Sequence, residues 1–260
     1  MGQADRNPAV KIMHLGIAVW PSWNIAAQKM WLWRQSIDRF SYRFFYYGVG
    51  TTQWPGYRAQ KVESQLDHLL KYGWGDCTHI LYTDCCDCLM LAPPEEIHDK
   101  YVAMGCPPML VSGAEWLGNV DADLGDTSQS DKRYPIFSER SKKRFRFPQV
   151  GGYIMEAQLL VDFLKKIHED YPDLGDECFA WYNLIQKGEW NPAIDEDCQI
   201  FQCHGEEVSH VEIKDAFGRI YNRETNSFPC IFHNSGGYAS QDDFKDYKMI
   251  PWAKRLGIVE

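Results

Sequence analysis

Over its first ninety residues the chain alternates continuous apolar runs with stretches whose apolar residues recur at helical spacing. Residues 11–20 (KIMHLGIAVW) are apolar, carry β-branched members and stop before Pro21, which predicts a buried strand. Within 25–40 the residues Ile25, Met30, Trp33, Ile37 and Phe40 fall close to the helical period and predict a helix. Residues 42–49 read as an aromatic second strand, and 50–56, with Trp54-Pro55 inside, as a loop. Val62, Leu66, Leu69 and Leu70 share one face of a helix over 61–72 that ends near Gly73 and Gly75. The apolar run 79–82 then predicts a third strand leading into Asp84. Helices placed between apolar strands in this order predict an α/β fold, a mainly parallel sheet covered on both faces. That is the architecture of a nucleotide-binding domain.

Beyond Asp84 the pattern continues less regularly. Residues 93–102 predict a helix with proline at its start and Glu95 and Glu96 in its first turn, as the macrodipole favours. A strand over 108–112 leads to Gly113-Ala-Glu-Trp116. The polar, charged segment 119–143 reads as a long loop, of the kind that often serves as a lid or binding element. In 147–155 the pair Gly151-Gly152 precedes a strand-like run, where the backbone can approach a ligand closely. Leu160, Val161, Leu164 and Ile167 mark an amphipathic helix over 157–168, and 177–187 predicts another. The acidic run Asp195-Glu196-Asp197 opens 198–202; 213–221 reads as strand, turn, strand; 229–237 precedes a tail expected to end in a helix. No repeat, low-complexity tract or linker interrupts the chain. A single domain over 1–260 is expected, its nucleotide-binding half over about 1–115 and its acceptor and sugar half over about 145–240.

Composition narrows the chemistry. With 260 residues and 45% hydrophobic content the chain can fill a sizeable core. A net charge of −9 argues against a broad phosphate-binding surface, leaving 142–146 (KKRFR) as the one basic candidate. Nine cysteines are an odd count, and Cys85, Cys86 and Cys88 crowd one strand end, which suits reduced thiols in a cytoplasmic setting better than a disulfide framework. The same three cysteines lack a partner pair at zinc-finger spacing, so buried thiols are expected. The polar first eight residues lack a signal-peptide core, and no apolar run approaches the ~20 residues of a membrane span, so no membrane partner is expected. Aromatic residues at 14% fill cores first and raise the expectation of a sugar or nucleotide ligand only modestly.

The leading chemical feature is the pair Asp84 and Asp87 at the carboxyl end of a buried strand. Open α/β sheets bind ligands in the crevice beyond their strand ends. Hard cations such as Mg²⁺ and Mn²⁺ take carboxylate oxygens. The alternative is a solvated acidic turn that caps the next helix.

Taken together and in order, these pieces resemble the glycosyltransferase domain of the procollagen lysyl hydroxylase type, a nucleotide-sugar-dependent, GT-A-like (Rossmann-like) fold. The resemblance runs through Gln60-Lys61-Val62, Asp84-Cys-Cys-Asp87, Val111-Ser-Gly-Ala-Glu115, 147–155, 195–201, 213–221 and Phe232-His-Asn-Ser-Gly-Gly237. It implies Asp84, Asp87 and His233 as ligands of Mn²⁺ (or Mg²⁺) and a UDP-sugar as donor substrate. It places Lys61 near the nucleotide or diphosphate, and Tyr82, Cys86, Gly151, Gly152, Gly236 and Gly237 around the donor. Asp197 matches the acidic stretch that faces the sugar, as a base or transition-state stabiliser, and Glu115 joins it on the catalytic side. Cys86 stands where the family carries an aromatic residue, and His-Asn-Ser-Gly-Gly replaces its usual His-Gly-Asn-Gly. The implied activity is transfer of a hexose to an acceptor hydroxyl on a glycan or protein. Alternatives are transfer to a hydroxymethylated base in DNA, a noncatalytic sugar-nucleotide-binding module, and a nucleotidyltransferase using the same carboxylates.

Overall fold

In the computed structural model the described residues are 10–20, 30–49, 57–115, 117, 129–172, 177–204, 211–214, 218–234 and 249–260. In chain order their strands are β1 (Ile12–Trp20), β2 (Phe44–Val49), β3 (His79–Asp84), β4 (Cys88–Met90), β5 (Met109–Ala114), β6 (Phe147–Glu156), β7 (Ala193–Asp195), β8 (Phe201–His204), β9 (Val211–Lys214), β10 (Arg219–Asn222) and β11 (Ile231–Asn234). Their helices are α1 (Trp31–Arg39), α2 (Tyr57–Tyr72), α3 (Pro94–Ala103), α4 (Gln129–Arg133), α5 (Pro135–Arg140), α6 (Ala157–Asp170), α7 (Glu177–Gln186) and α8 (Met249–Arg255).

The main sheet has the order β2-β1-β3-β6-β5-β7. β1 runs parallel to β2 and β3, and β5 parallel to β7, but β6 runs antiparallel to both β3 and β5. The α/β architecture is therefore the expected one and the sheet is mainly parallel, with β6 alone reversed against the other five strands of the sheet. A strand buried on both faces is an unbroken apolar run whichever way it points, so periodicity does not reveal its direction.

Successive side chains of the central strands feed opposite layers, as the two-residue strand period requires. Ile80 and Tyr82 of β3 join Met13, Leu15 and Ile17 of β1 under α2 and α6, in a core with Val62, Leu66, Leu160, Val161 and Leu164. Leu81 faces the other way, with Trp33 and Ile37 of α1, Ile97 and Tyr101 of α3, and Leu110 and Ile154. A second sheet, β4-β11-β8, lies against this layer through Phe201 and Ile231. Met249 and Ala253 of α8, with Leu256 just after it, close its outer side with Leu89 and Phe232. β9 and β10 form the hairpin expected near the C-terminus.

Two expectations change. The segment expected as a long loop over 119–143 contains α4 and α5, and Phe137 of α5 is buried in the core. Helices of five and six residues are too short to show a period, although Pro135 at the first helical position is a start signal. The helix expected over 25–40 begins at Trp31 among the described residues; 25–29, the loop 50–56 and residues 118–128 lie outside them. All nine cysteines are free thiols. No described helix is long and apolar enough to cross a membrane.

The hairpin is tied to α3 through one carboxylate. Arg219 of β10 donates to both Glu96 oxygens at 2.9 and 3.0 Å, and Lys100 lies 2.9 Å away. Burial works against the charged carboxylate, but Arg219 and Lys100 outweigh it and hold the Glu96 pKa at about 2. A carboxylate with a depressed folded pKa contributes stability that is complete above its ordinary value of 4.5 and is lost as pH falls towards about 2. Glu96→Gln is expected to lower stability at neutral pH by roughly 1–3 kcal/mol and to flatten the acid limb of the stability curve between those two values. Denaturant melts at a series of pH values check this.

Candidate active site

Three strands and one tight turn build the site. β3 delivers Asp84 at its carboxyl end, the turn over 85–87 delivers Asp87, and the chain returns at once as β4. β11 then pairs with β4 so that His233 stands opposite Cys88, and the Asn234 amide donates to the Asp87 carbonyl at 2.9 Å. This docking brings His233 Nε2 to 3.5 Å from Asp87 Oδ2.

The third side of the site is backbone. β6 pairs with β3 as far as Thr83 opposite Gly152, whereas its register with β5 jumps from Tyr153 opposite Val111 to Gln149 opposite Ser112. The residues left over, Val150, Gly151 and Gly152, form a bulge, a device that re-aims a strand beside a site. The expected glycine pair thus lies inside the strand and not before it. A Cβ on Gly151 would stand 2.2 Å from His233 Cε1, 2.8 Å from its Nε2 and 3.0 Å from Asp84 Oδ2. Only glycine lets these side chains close over the strand. Gly152 faces the core instead, where a Cβ would meet the Phe201 ring at 2.9 Å. The Gly151 amide donates to Gln149 Oε1 at 3.1 Å, which pins the bulge.

Asp84 is held from the protein side. Its Oδ1 accepts the Tyr82 hydroxyl at 2.5 Å and lies 3.0 Å from Lys61 Nζ, while Lys61 also pairs with Glu177 Oε1 at 2.5 Å. Tyr82 stacks on Tyr153 with ring centroids 4.6 Å apart, and the Tyr153 hydroxyl exchanges hydrogen bonds with Gln65. These contacts fix Oδ1 and leave Oδ2 turned towards Gly151 and His233.

Two buried polar atoms of the cluster, Asp87 Oδ1 and His233 Nδ1, have no hydrogen-bond partner among the described residues. A buried carboxylate oxygen without a partner is costly, and a cation is one way to satisfy it. Burial disfavours charge on the His233 ring, but the Asp87 carboxylate and Cys203 oppose it and raise the pKa well above the ordinary histidine value. Without a cation the imidazole supplies the positive charge that the carboxylates attract. With one, it must be neutral to act as a ligand. Two carboxylates and an imidazole suit Mn²⁺ or Mg²⁺ chemically, and the donor atoms of Asp87, Cys88 and His233 lie within 4.8 Å of one another.

The other expected site residues are distributed differently. Glu115 pairs with Arg144 at 2.9 Å, and Arg144 reaches Glu224 at the same distance. Asp197 is exposed and pairs with Lys143 at 2.6 Å. Its neighbour Asp195 turns inward, 1% exposed, and accepts the amides of Gln199, Ile200 and Phe201 at 2.8–2.9 Å. Asp195 therefore builds the entry to β8, and Asp197 faces solvent. Cys86 is half-buried in the turn, and Gly236 and Gly237 lie outside the described residues. The stretch 142–146 is not an open basic patch: Lys143 and Arg144 are paired as above, Arg146 grips Asp131 at 2.9 Å, and Lys142 donates to the Ser138 carbonyl. Sequence reasoning missed Glu177 as the second partner of Lys61 and Cys88 as the neighbour of His233. Neither has a local signal, because both depend on how distant elements dock.

Residues 27–257 match the sequence model described as the PLOD GT domain. No curated protein matches the chain. Among solved structures, a "glycosyltransferase involved in the glycosylation of the major capsid of PBCV-1" aligns at 9% identity with a TM-score of 0.48, covering 95% of this chain and 99% of that one. Since the family match spans most of its length, the chain belongs to the PLOD GT domain family, the glycosyltransferase domain of the lysyl hydroxylases.

Proposed function

We propose that this glycosyltransferase moves a hexose from a UDP-sugar to an acceptor hydroxyl, with Mn²⁺ (or Mg²⁺) held by Asp84, Asp87 and His233. One observation carries the proposal: donors from β3, the following turn and β11 converge over Gly151, where no side chain would fit. When bound, the metal would offset negative charge on the departing diphosphate.

The chain's own residues prepare that site. The Tyr82 hydroxyl and Lys61 hold Asp84 Oδ1, so the carboxylate presents its other oxygen in one orientation. Lys61 Nζ, anchored by Glu177, places a fixed positive charge beside the carboxylate pair, suited to a diphosphate oxygen. Gly151 and Gly152 bring backbone against the donor. Cys86 takes the place of the family's aromatic beside the nucleotide, and Gly236 and Gly237 follow His233 in sequence. On the acceptor side Asp197 and Glu115 are the carboxylates available to receive a hydroxyl proton, with Lys143 and Arg144 as their counter-charges. The paired state of 142–146 and the net charge of −9 favour a glycan or protein hydroxyl over modified DNA. Nine free thiols suit a reducing, cytoplasmic setting.

Equilibrium dialysis of UDP tests the donor site. Binding is expected with Mn²⁺ and lost with chelator or in Asp87→Ala; UDP binding that ignores both would sink the assignment.

A further inference from the structure

β11 is the middle strand of its sheet, so His233 is registered opposite Cys88 on one side and Cys203 on the other. Residues directly opposite on adjacent strands project to the same face, with Cβ atoms about 5 Å apart. The buried imidazole therefore lies between two thiols, and only Cys88 also adjoins the acidic turn. Its Sγ, a carboxylate oxygen of Asp87 and an imidazole nitrogen of His233 all fall within 4.8 Å of one another. Donors that share one ion through bonds of roughly 2.0–2.3 Å stand at most about 4.6 Å apart, so the three atoms need only a small shift to share one ion.

Among the described residues nothing else makes strong use of this sulfur. Cys88 is 1% exposed, and its thiol makes only a long contact, 3.8 Å, to the Gly151 carbonyl. Cys85 is different: its Sγ is packed under β1, 2.5 Å from where a Cβ on Gly16 would stand. The two thiols of the turn thus have separate surroundings, one filling space beneath the sheet and one beside the carboxylate and imidazole.

We infer that Cys88 is a further protein donor to the cation held by Asp84, Asp87 and His233, and that the site in this chain therefore selects thiophilic divalent ions such as Zn²⁺ or Co²⁺ over Mg²⁺. The inference rests on the metal-site assignment above and sharpens it, because thiolate suits soft and borderline ions whereas Mg²⁺ prefers oxygen. On binding, the Cys88 S–H bond breaks, its proton leaves to solvent, and the thiolate electron pair forms the sulfur–metal bond. No oxidation or reduction occurs.

Titration of the full chain with Co²⁺, followed by absorption spectroscopy, tests this without reference to turnover. The wild type is expected to show visible cobalt bands together with a near-ultraviolet thiolate-to-cobalt charge-transfer band. Cys88→Ser should keep the visible bands, lose the charge-transfer band and bind Co²⁺ roughly tenfold or more weakly, while Cys203→Ser keeps both features. Cys88→Ala replaces the serine variant if a hydroxyl in this buried position prevents folding. Visible bands without the charge-transfer band in the wild type, or an unchanged charge-transfer band in the Cys88 variants, would overturn the inference and leave the carboxylate and imidazole site standing. Absence of Co²⁺ binding, or a spectrum unaltered in Asp87→Ala and His233→Ala, would overturn the metal site itself and the inference with it.

Discussion

Asp84→Asn combined with Asp87→Asn is expected to abolish UDP release from a UDP-sugar, by about 10³-fold or more, with the fold retained. A metal's stabilisation of developing charge is worth several kcal/mol, and each 1.4 kcal/mol or so is a factor of ten in rate. Losing both carboxylates removes two of the three assigned ligands and takes from His233 the anion it faces at 3.5 Å. The fold has little reason to fail. Lys61 keeps Glu177 at 2.5 Å, and the Tyr82–Tyr153 stack does not depend on Asp84. Parallel measurement of UDP release and of the thermal midpoint checks both halves of the expectation.

Gly151→Ala is the sharper test of geometry, because it alters no ligand. The new methyl would stand 2.2 Å from His233 Cε1 and 3.0 Å from Asp84 Oδ2, distances that require one of these side chains to move. His233 is 2% exposed and has nowhere to withdraw, so the ligand set opens. Metal affinity is expected to fall tenfold or more, with a stability cost of about 1–3 kcal/mol from overpacking. Gly152→Ala is the control. Its methyl would meet the Phe201 ring at 2.9 Å, in the core, and is expected to cost comparable stability with a smaller effect on metal affinity. Mn²⁺ titration and denaturant melts of the two variants separate a glycine kept for the site from one kept for packing.

The parts of the fold legible in the sequence are those with local causes. β1, α2, β3, α3 and α6 announce themselves through period and end signals, and Asp84 and Asp87 through their place at a buried strand's end. What was hidden depends on pairing. The reversed direction of β6 leaves no mark on an apolar run. The bulge at Gly151 is visible only once β6 has two neighbours of different register, although the glycine pair itself was plain. His233 has no local signature, and only the resemblance of Phe232-His-Asn-Ser-Gly-Gly237 to the family's histidine turn points to it. In sequence Cys88 reads as a buried thiol, which it is; that it faces His233 follows from the docking of β11 on β4. In the acidic run 195–197, composition alone could not tell which carboxylate folds inward, and the three amides that capture Asp195 decide it.

The most direct test of a metal-dependent, UDP-sugar-using site at Asp84, Asp87 and His233 is mass-spectrometric detection of UDP across a donor panel with Mn²⁺. UDP is predicted to appear from UDP-glucose or UDP-galactose, to vanish with chelator, and to vanish in the Asp84→Asn, Asp87→Asn double variant. UDP release indifferent to chelator and to both substitutions, pyrophosphate in place of UDP, or no release from any donor would contradict it.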